Sequence, residues 1–193
     1  MVIKNDEELA IAVKEASSLI QQIQDYVGRD FAKDARLRFP RGYIRTADKA
    51  RKRLGFLSTS HLKSNIAYTM MLMDVQHWLL ARTDIAGLVK EMIVKLQIFL
   101  LGSIVESVTK DYLKGKCGKN FKGRTQFLNE KSVITSVLRD DLNWLWDLRN
   151  RMHLFQLTNT EWLSTDYSIE NHNKAVQVFN DLLKGLEANP RFT

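Results

Sequence analysis

The chain has 193 residues, 45% of them hydrophobic, and its 29 Lys and Arg against 22 Asp and Glu give a net charge of +7. This length suffices for one domain with a hydrophobic core, and the single cysteine excludes a disulfide within the chain. The apolar runs are shorter than the roughly 20 residues that span a bilayer, and no secretory signal pattern begins the sequence. A cytoplasmic protein without membrane association is therefore expected.

Helical structure is predicted along the whole chain, because only two prolines occur and no stretch shows the alternation of apolar and polar residues that marks strands. Asn5 and Asp6 are suitable caps for a first helix, and Gly28 is suited to end it. The sequence therefore predicts an all-α protein.

A basic segment follows, residues 29–53, in which ten Lys and Arg stand against three acidic residues. Pro40 and Gly42 interrupt it, so two short helices are expected there. A localised basic field attracts RNA, DNA or an acidic protein, although a solvated face without a partner fits the same composition. The candidate binding residues are Arg36, Arg38, Arg41, Arg45, Lys49, Arg51, Lys52 and Arg53.

Capping residues, glycines and apolar spacing predict the remaining elements. A helix over about 60–79 precedes a long helix that starts at a Thr83 cap, reaches about Tyr112 and is expected to form the core. The elements predicted after it are a loop over 114–124, a short helix near 126–130, a helix over about 132–155, a polar loop over 158–165 and a last helix over about 168–188.

The predicted helix over 132–155 carries an apolar stripe with the spacing of a packing surface. The stripe indicates contact either with the core of the same chain or with a helix of a partner. Its members are Leu145, Leu148, Met152 and Phe155.

Arg149 and His153 lie four positions apart beside this stripe, within the sequence DLRNRMHLF. On a continuous helix they would be one turn apart and side by side. An imidazole exchanges protons near neutral pH and a guanidinium binds phosphate oxygens, so the pair could cleave RNA without a metal. Bonds from the two cations to backbone carbonyls or carboxylates at the helix end are the alternative.

The other histidines give no sign of a metal or cofactor site. His61 fits a surface position at a helix start, His77 beside Trp78 fits a satisfied core histidine, and His172 lies in a polar run. We therefore expect no metal and no other cofactor.

The order of elements over residues 84–188 resembles the HEPN superfamily of small helical-bundle proteins, many of them in bacterial toxin-antitoxin and antiviral defence systems. A long helix with Glu106 in IVKLQIFLLGSIVESVTKDYL is followed by a loop, a short helix and SVITSVLRDDLNWLWDLRNRMHLF. An amphipathic helix then closes the order through Ala175, Val178, Leu182 and Leu186. The family motif is an arginine, a polar residue and a later histidine, which Arg149, Asn150 and His153 match with fewer residues in between than the family has.

The resemblance implies a four-helix bundle over 84–188. Residues 1–80 lie outside the resemblance and are expected to form a helical extension that makes one compact unit with the bundle. The resemblance also implies a homodimer in which two motifs form one composite ribonuclease site. His153 would be the general base, Arg149 would stabilise charge on the phosphate, and Asn150 would orient the histidine or the substrate. Glu106 is expected to partner a cation of the pair, or else to be a solvated acid.

Two functional hypotheses follow from the resemblance, and a plain helical scaffold is a third. The first is a metal-independent endoribonuclease of HEPN type, with RNA as substrate and an antitoxin or another protein as partner. The second is a catalytically inactive HEPN-fold module that binds a partner protein or nucleic acid.

Overall fold

The structure, a computed structural model, describes residues 2–30, 32–118, 120–152 and 165–189. Regular secondary structure in these residues is helical throughout, which confirms the all-α prediction. The helices are α1 Asp6–Val27, α2 Ala47–Lys52, α3 Ser60–Arg82, α4 Gly87–Leu113, α5 Phe121–Glu130, α6 Ser136–Asn150 and α7 Ile169–Ala188, with a short 3-10 helix at Thr165–Tyr167. Among the described helices, none combines the length and apolar composition needed to cross a membrane.

The chain divides into two units, Met1–Arg41 and Gly42–Thr193. The second unit includes α2 and α3, which the sequence assigns to the extension over 1–80. Both helices belong with the bundle because α2 contacts α3, and α3 contacts α4. The boundary between the two units thus falls after Arg41.

The first unit contains α1, whose predicted bounds are correct. The Asn5 side chain accepts a hydrogen bond from the Glu8 N–H at 2.8 Å, and Gly28 ends the helix with φ at 58°, a value that glycine adopts readily. Every residue of α1 that the structure describes is exposed or half-buried. Its amphipathic pattern is therefore not used in a core within this unit.

The basic segment forms one short helix among its described residues, not two. Residues 29–45, apart from the undescribed residue 31, are turns, bends and irregular chain. The helix is α2, where the Thr46 side chain accepts a hydrogen bond from the Lys49 N–H at 3.3 Å. Pro40 lies in the irregular part, and its fixed φ and missing N–H are unfavourable inside a helix.

The long helix α4 is the centre of the second unit and contacts α3, α5, α6 and α7. Because neighbours surround it, it needs apolar residues on most of its sides. The predicted core helix is therefore confirmed. Its buried apolar residues are Val94, Ile98, Leu101, Ile104, Val105, Val108, Tyr112 and Leu113.

The predicted Thr83 cap of α4 is wrong, since α4 begins at Gly87 and Thr83 ends α3 instead. The Thr83 hydroxyl donates to the Leu79 carbonyl at 2.6 Å, one turn back in α3. A threonine hydroxyl can bond either to a carbonyl at the end of one helix or to an N–H group at the start of the next. Here it bonds to a carbonyl of the preceding helix, α3.

The short helix α5 begins earlier than predicted, because Asn120 caps it. The Asn120 side chain accepts hydrogen bonds from the N–H groups of Lys122 at 2.8 Å and Gly123 at 3.4 Å. The loop before it is correspondingly shorter than the predicted 114–124. It opens with Lys114 and Gly115 at positive φ.

The helix α6 is shorter than the predicted 132–155. Thr135 caps it, accepting a hydrogen bond from the Leu138 N–H at 3.1 Å, whereas Ser132 has a φ of 58° and lies in a turn. At the other end, Asn150 is the last helical residue and Arg151 is its cap. The start of α7 agrees with the prediction, since Ser168 caps it.

The apolar stripe of α6 belongs to the core of its own chain. Leu145, Leu148 and Met152 are buried, and Phe155 lies outside the described residues. α6 contacts α4, α5 and α7. Of the two predicted uses of this stripe, packing within one subunit is the one that the structure shows for these three residues.

Candidate functional site

The candidate site lies where the end of α6 crosses α4. Arg149 and Asn150 are the last two residues of α6, and Glu106 lies in the second half of α4. Helices α4 and α6 are packed together. Residues more than 40 positions apart in the sequence are thereby brought into contact.

Arg149 makes polar contacts through all three of its guanidinium nitrogens. Nη2 lies 3.4 Å from the Glu106 carboxylate, Nη1 donates to Asn150 Oδ1 at 2.9 Å, and Nε donates to the Ser103 hydroxyl at 3.4 Å. The guanidinium carbon also lies 5.4 Å from the centre of the Phe99 ring. The side chain is therefore held in one orientation before any ligand arrives.

Of the two expectations for Glu106, an ion pair with a cation or a solvated acid, the structure shows the ion pair, with Arg149, and this pair is accessible to solvent. Their side chains are 23% and 37% exposed. Exposed ion pairs contribute only about 0–1 kcal/mol, so a phosphate can replace the carboxylate at modest cost. The three contacts use three of the five N–H groups of a guanidinium, which leaves donors for an anion.

Gly102 explains how α6 comes so close to α4. A Cβ atom at Gly102 would lie 2.8 Å from Arg149 Cβ and 3.0 Å from its Cγ. These distances are too short for carbon atoms, so only glycine permits this approach. The close packing places the base of the Arg149 side chain on α4, one turn from Glu106 along that helix.

Replacing Gly102 with alanine is expected to lower the free energy of unfolding by about 1 kcal/mol, measured by urea denaturation. Overpacking costs roughly 1–3 kcal/mol, and the better helix propensity of alanine returns roughly 1 kcal/mol. Gly123→Ala is the matched control, because a Cβ there would have no neighbour within 4 Å, and it is expected to be neutral or stabilising. Equal effects of the two substitutions would show that the approach at Gly102 is not tight.

Arg124, on α5, is a third charged residue near this site and was not predicted as part of it. It is only 5% exposed, and its guanidinium lies 5.6 Å from the centre of the Phe121 ring. Burial lowers the pKa of Arg124, while the nearby Glu106 carboxylate raises it and so offsets part of that effect. Glu106 therefore interacts with two arginines.

A sequence signal for Arg124 exists. Phe121, Arg124, Thr125 and Leu128 are all buried, and they have the spacing of a helix face that packs on a core. Reading α5 from its Asn120 cap instead of from residue 126 would have placed Arg124 on that inner face.

His153 lies outside the described residues, as do residues 154–164. The predicted side-by-side placement of Arg149 and His153 requires a helix that continues through both, and α6 ends at Asn150. Asn150 itself bonds to Arg149. The roles of Arg149, Asn150, His153 and Glu106 in catalysis stay predictions.

The basic segment is divided between the two units, with residues 29–41 in the first and 42–53 in the second. Arg45 forms a forked ion pair with Asp74, with the shortest contact at 2.6 Å. Arg53 donates a hydrogen bond to Asn180 at 2.7 Å. These two arginines are thus engaged within the second unit, and a binding role for the segment stays a prediction.

Comparisons with known proteins identify no relative: no family model, no curated protein and no solved structure matches the chain. In the part of the chain that the structure describes, no group of three or more His, Cys, Asp or Glu is arranged to hold a metal ion.

Proposed function

We propose that the protein is a metal-independent endoribonuclease of HEPN type. The observation that carries the proposal is the half-buried Arg149 at the end of α6, oriented by Asn150, Ser103 and Glu106. The order of a long helix, a short helix, the motif helix and a closing helix supports the same family.

In the proposed reaction, His153 removes the proton from a ribose 2′-OH, and the 2′-oxygen attacks the adjacent phosphorus. The bond from phosphorus to the 5′-oxygen breaks, and that oxygen takes up a proton from water. The products are a 2′,3′-cyclic phosphate and a 5′-hydroxyl end. Arg149 stabilises the charge that develops on the phosphate oxygens, and Asn150 holds the arginine.

A homodimer with a composite site is part of this proposal. Because Leu145, Leu148 and Met152 are buried within the chain, another surface must form the dimer contact. The basic residues of 29–53 would attract RNA or an acidic antitoxin through their charge. A role in toxin-antitoxin or antiviral defence would follow from such an activity.

The proposal is tested by incubating the purified protein with a mixed RNA substrate in EDTA and identifying the new ends. The wild type is expected to form 2′,3′-cyclic phosphates. Arg149→Ala and His153→Ala are each expected to lower the rate by about 100-fold or more, as the loss of a charge-stabilising donor or a general base does.

Arg151→Ala is the matched control, since it removes a neighbouring cation that is 61% exposed and lies 3.6 Å from Asp166. It is expected to keep most of the activity. All variants are checked for folding by circular dichroism and for dimerisation by light scattering. Equal rates in the wild type and the Arg149 and His153 variants, or cleavage that EDTA abolishes, would contradict the proposal.

A catalytically inactive HEPN-fold module that binds RNA or a partner protein is the second candidate. The observation that favours it is that Arg149 is already paired within its own chain, together with the short interval to His153. It predicts RNA binding that survives His153→Ala and falls when Arg36, Arg38 and Arg41 are all changed to Gln. Filter binding at two salt concentrations measures this binding. The absence of RNA cleavage in the assay above distinguishes the inactive module from the nuclease.

A further inference from the structure

A cavity of about 280 Å³ lies in the second unit, between the segment before α2, the end of α2, and helices α3, α4 and α7. It is separate from the group formed by Arg149, Ser103 and Glu106. On α4 the cavity is lined by Gln97 and Leu101, whereas Arg149 lies against Gly102, Ser103 and Glu106. At about 100° per residue, these two sets point to roughly opposite sides of α4.

Two arginines lie on the polar side of this cavity. Arg45 binds the Asp74 carboxylate through Nε and Nη2, which leaves its Nη1 outside that fork. Arg53 donates to the neutral amide oxygen of Asn180. Both arginines line the same cavity. Partial burial lowers the pKa of Arg53, the charge of Arg45 lowers it further, and the Glu187 carboxylate raises it and so offsets part of that effect.

Among the residues that line the cavity, positive charge exceeds negative charge. Asp74 pairs with Arg45, and Arg53 donates to the uncharged amide of Asn180. Glu187, which does not line the cavity, offsets part of the charge of Arg53. Arrangements of this kind favour an anion with several oxygens, because each guanidinium binds phosphate oxygens through a planar fork.

A buried and uncharged polar pair extends the wall. His172, 5% exposed, contacts the Gln97 side-chain oxygen through Nε2 at 2.5 Å. The Gln97 amide nitrogen donates to the Met73 carbonyl at 3.3 Å, so the oxygen faces the histidine and Nε2 carries the proton. Burial lowers the pKa of His172, and although a hydrogen bond with Asn173 raises it, the net direction keeps the ring neutral at pH 7.

The rest of the cavity wall is mostly apolar, with His77 and Asn173 as further polar residues. The apolar residues are Met70, Met73, Leu101, Val176 and Phe179. Small-molecule sites in proteins combine such an apolar lining with a few placed polar groups, and they start at about 300 Å³. The size and lining of this cavity therefore suit a small molecule with an anionic end and an apolar body.

We propose that this cavity binds a small organic phosphate ester. Its phosphate lies between Arg45 and Arg53, and its organic part packs against Met73, Val176 and Phe179. A phosphate is favoured over a carboxylate because its three terminal oxygens can reach both guanidinium groups at once. This site is independent of the ribonuclease proposal, since it uses none of the residues assigned to cleavage.

The proposal is tested with phenyl phosphate as the probe, by thermal denaturation and isothermal titration calorimetry on the full chain. Phenyl phosphate is expected to raise the melting temperature, since a ligand that binds the folded state stabilises it. Inorganic phosphate, benzoate and phenol are each expected to bind at least about tenfold more weakly. Inorganic phosphate lacks the apolar organic part, and benzoate and phenol lack the phosphate. Equal binding of benzoate or of inorganic phosphate would overturn the assignment to a phosphate ester.

Two variants locate the binding site. Arg53→Gln is expected to weaken phenyl phosphate binding by about tenfold or more, and Val176→Phe is expected to abolish it by filling the cavity without changing the charge. Lys52→Gln is the matched control, because Lys52 is the adjacent cation, is 77% exposed and pairs with Asp48. No binding by the wild type, or equal binding by Arg53→Gln and Lys52→Gln, would overturn the proposal.

Discussion

Replacing Leu148 with alanine is expected to lower the free energy of unfolding by about 2–5 kcal/mol. Leu148 is 1% exposed and lies on the face of α6 that belongs to the core. Alanine loses the buried methyl groups and leaves a cavity that close-packed neighbours fill only in part. Urea denaturation followed by circular dichroism measures the change, and the slope of the transition is expected to stay constant.

Val137→Ala is the matched control, on the same helix but 69% exposed. Its effect is expected to stay within about 0.5 kcal/mol. Because Leu148 packs inside its own chain, the loss at Leu148 should not depend on protein concentration. A loss that shrinks as concentration rises would instead assign the stripe to a dimer contact, which contradicts the packing described above.

A helix bound was easier to predict where the capping residue had one use. Asn5 precedes α1 with no described helix before it, and this predicted cap is confirmed. Thr83 stands between two helices, and its hydroxyl bonds back to α3. The sequence could not decide between these uses, because the choice depends on how α3 and α4 pack.

The contact of Arg149 with Glu106 was one of two expectations for Glu106, and it rested on the family resemblance. The reason for its closeness was not accessible from the sequence. Gly102 is one small residue in a long apolar helix, and only the crossing of α6 over it shows why a side chain is excluded. Close approaches of this kind are set by packing between distant segments.

The cavity beside α7 was missed because its polar residues are separated widely along the chain. In the sequence His77 and His172 are isolated histidines, whereas Arg45 and Arg53 belong to the basic segment. In the structure all four line one cavity. The charge density of residues 29–53 indicated a basic surface, and it gave no sign that Arg45 and Arg53 line a cavity together with two histidines.

Replacing Asp74 with alanine is expected to lower the free energy of unfolding by about 2–3 kcal/mol. Asp74 accepts hydrogen bonds from the Arg45 backbone N–H at 2.8 Å and from its guanidinium, and its side chain is 12% exposed. Removing the carboxylate leaves a partly buried cation and a backbone N–H without this partner, and each such loss is costly. Urea denaturation at pH 7 measures it.

The effect of Asp74→Ala is expected to depend on pH. Burial alone would raise the pKa of Asp74, but the hydrogen bonds and charge of Arg45 outweigh it and hold the pKa below its ordinary value of 3.8. A carboxyl group with a lowered pKa stabilises the fold above its ordinary value, and this contribution is lost as pH falls through the folded-state pKa. The difference between wild type and variant should therefore be constant from pH 5 to 7 and shrink below about pH 4.

Asp181→Ala supplies the control for both parts of this prediction. Asp181 pairs with Lys184 at 3.1 Å on α7, and its side chain is 40% exposed, so its removal should cost less than about 1 kcal/mol. If Asp74→Ala and Asp181→Ala had equal effects, the fork to Arg45 would contribute no more than an exposed pair. If the loss at Asp74 were instead unchanged at pH 3, the carboxylate charge would not be its source, and only the shape of the side chain would hold the segment before α2 against α3.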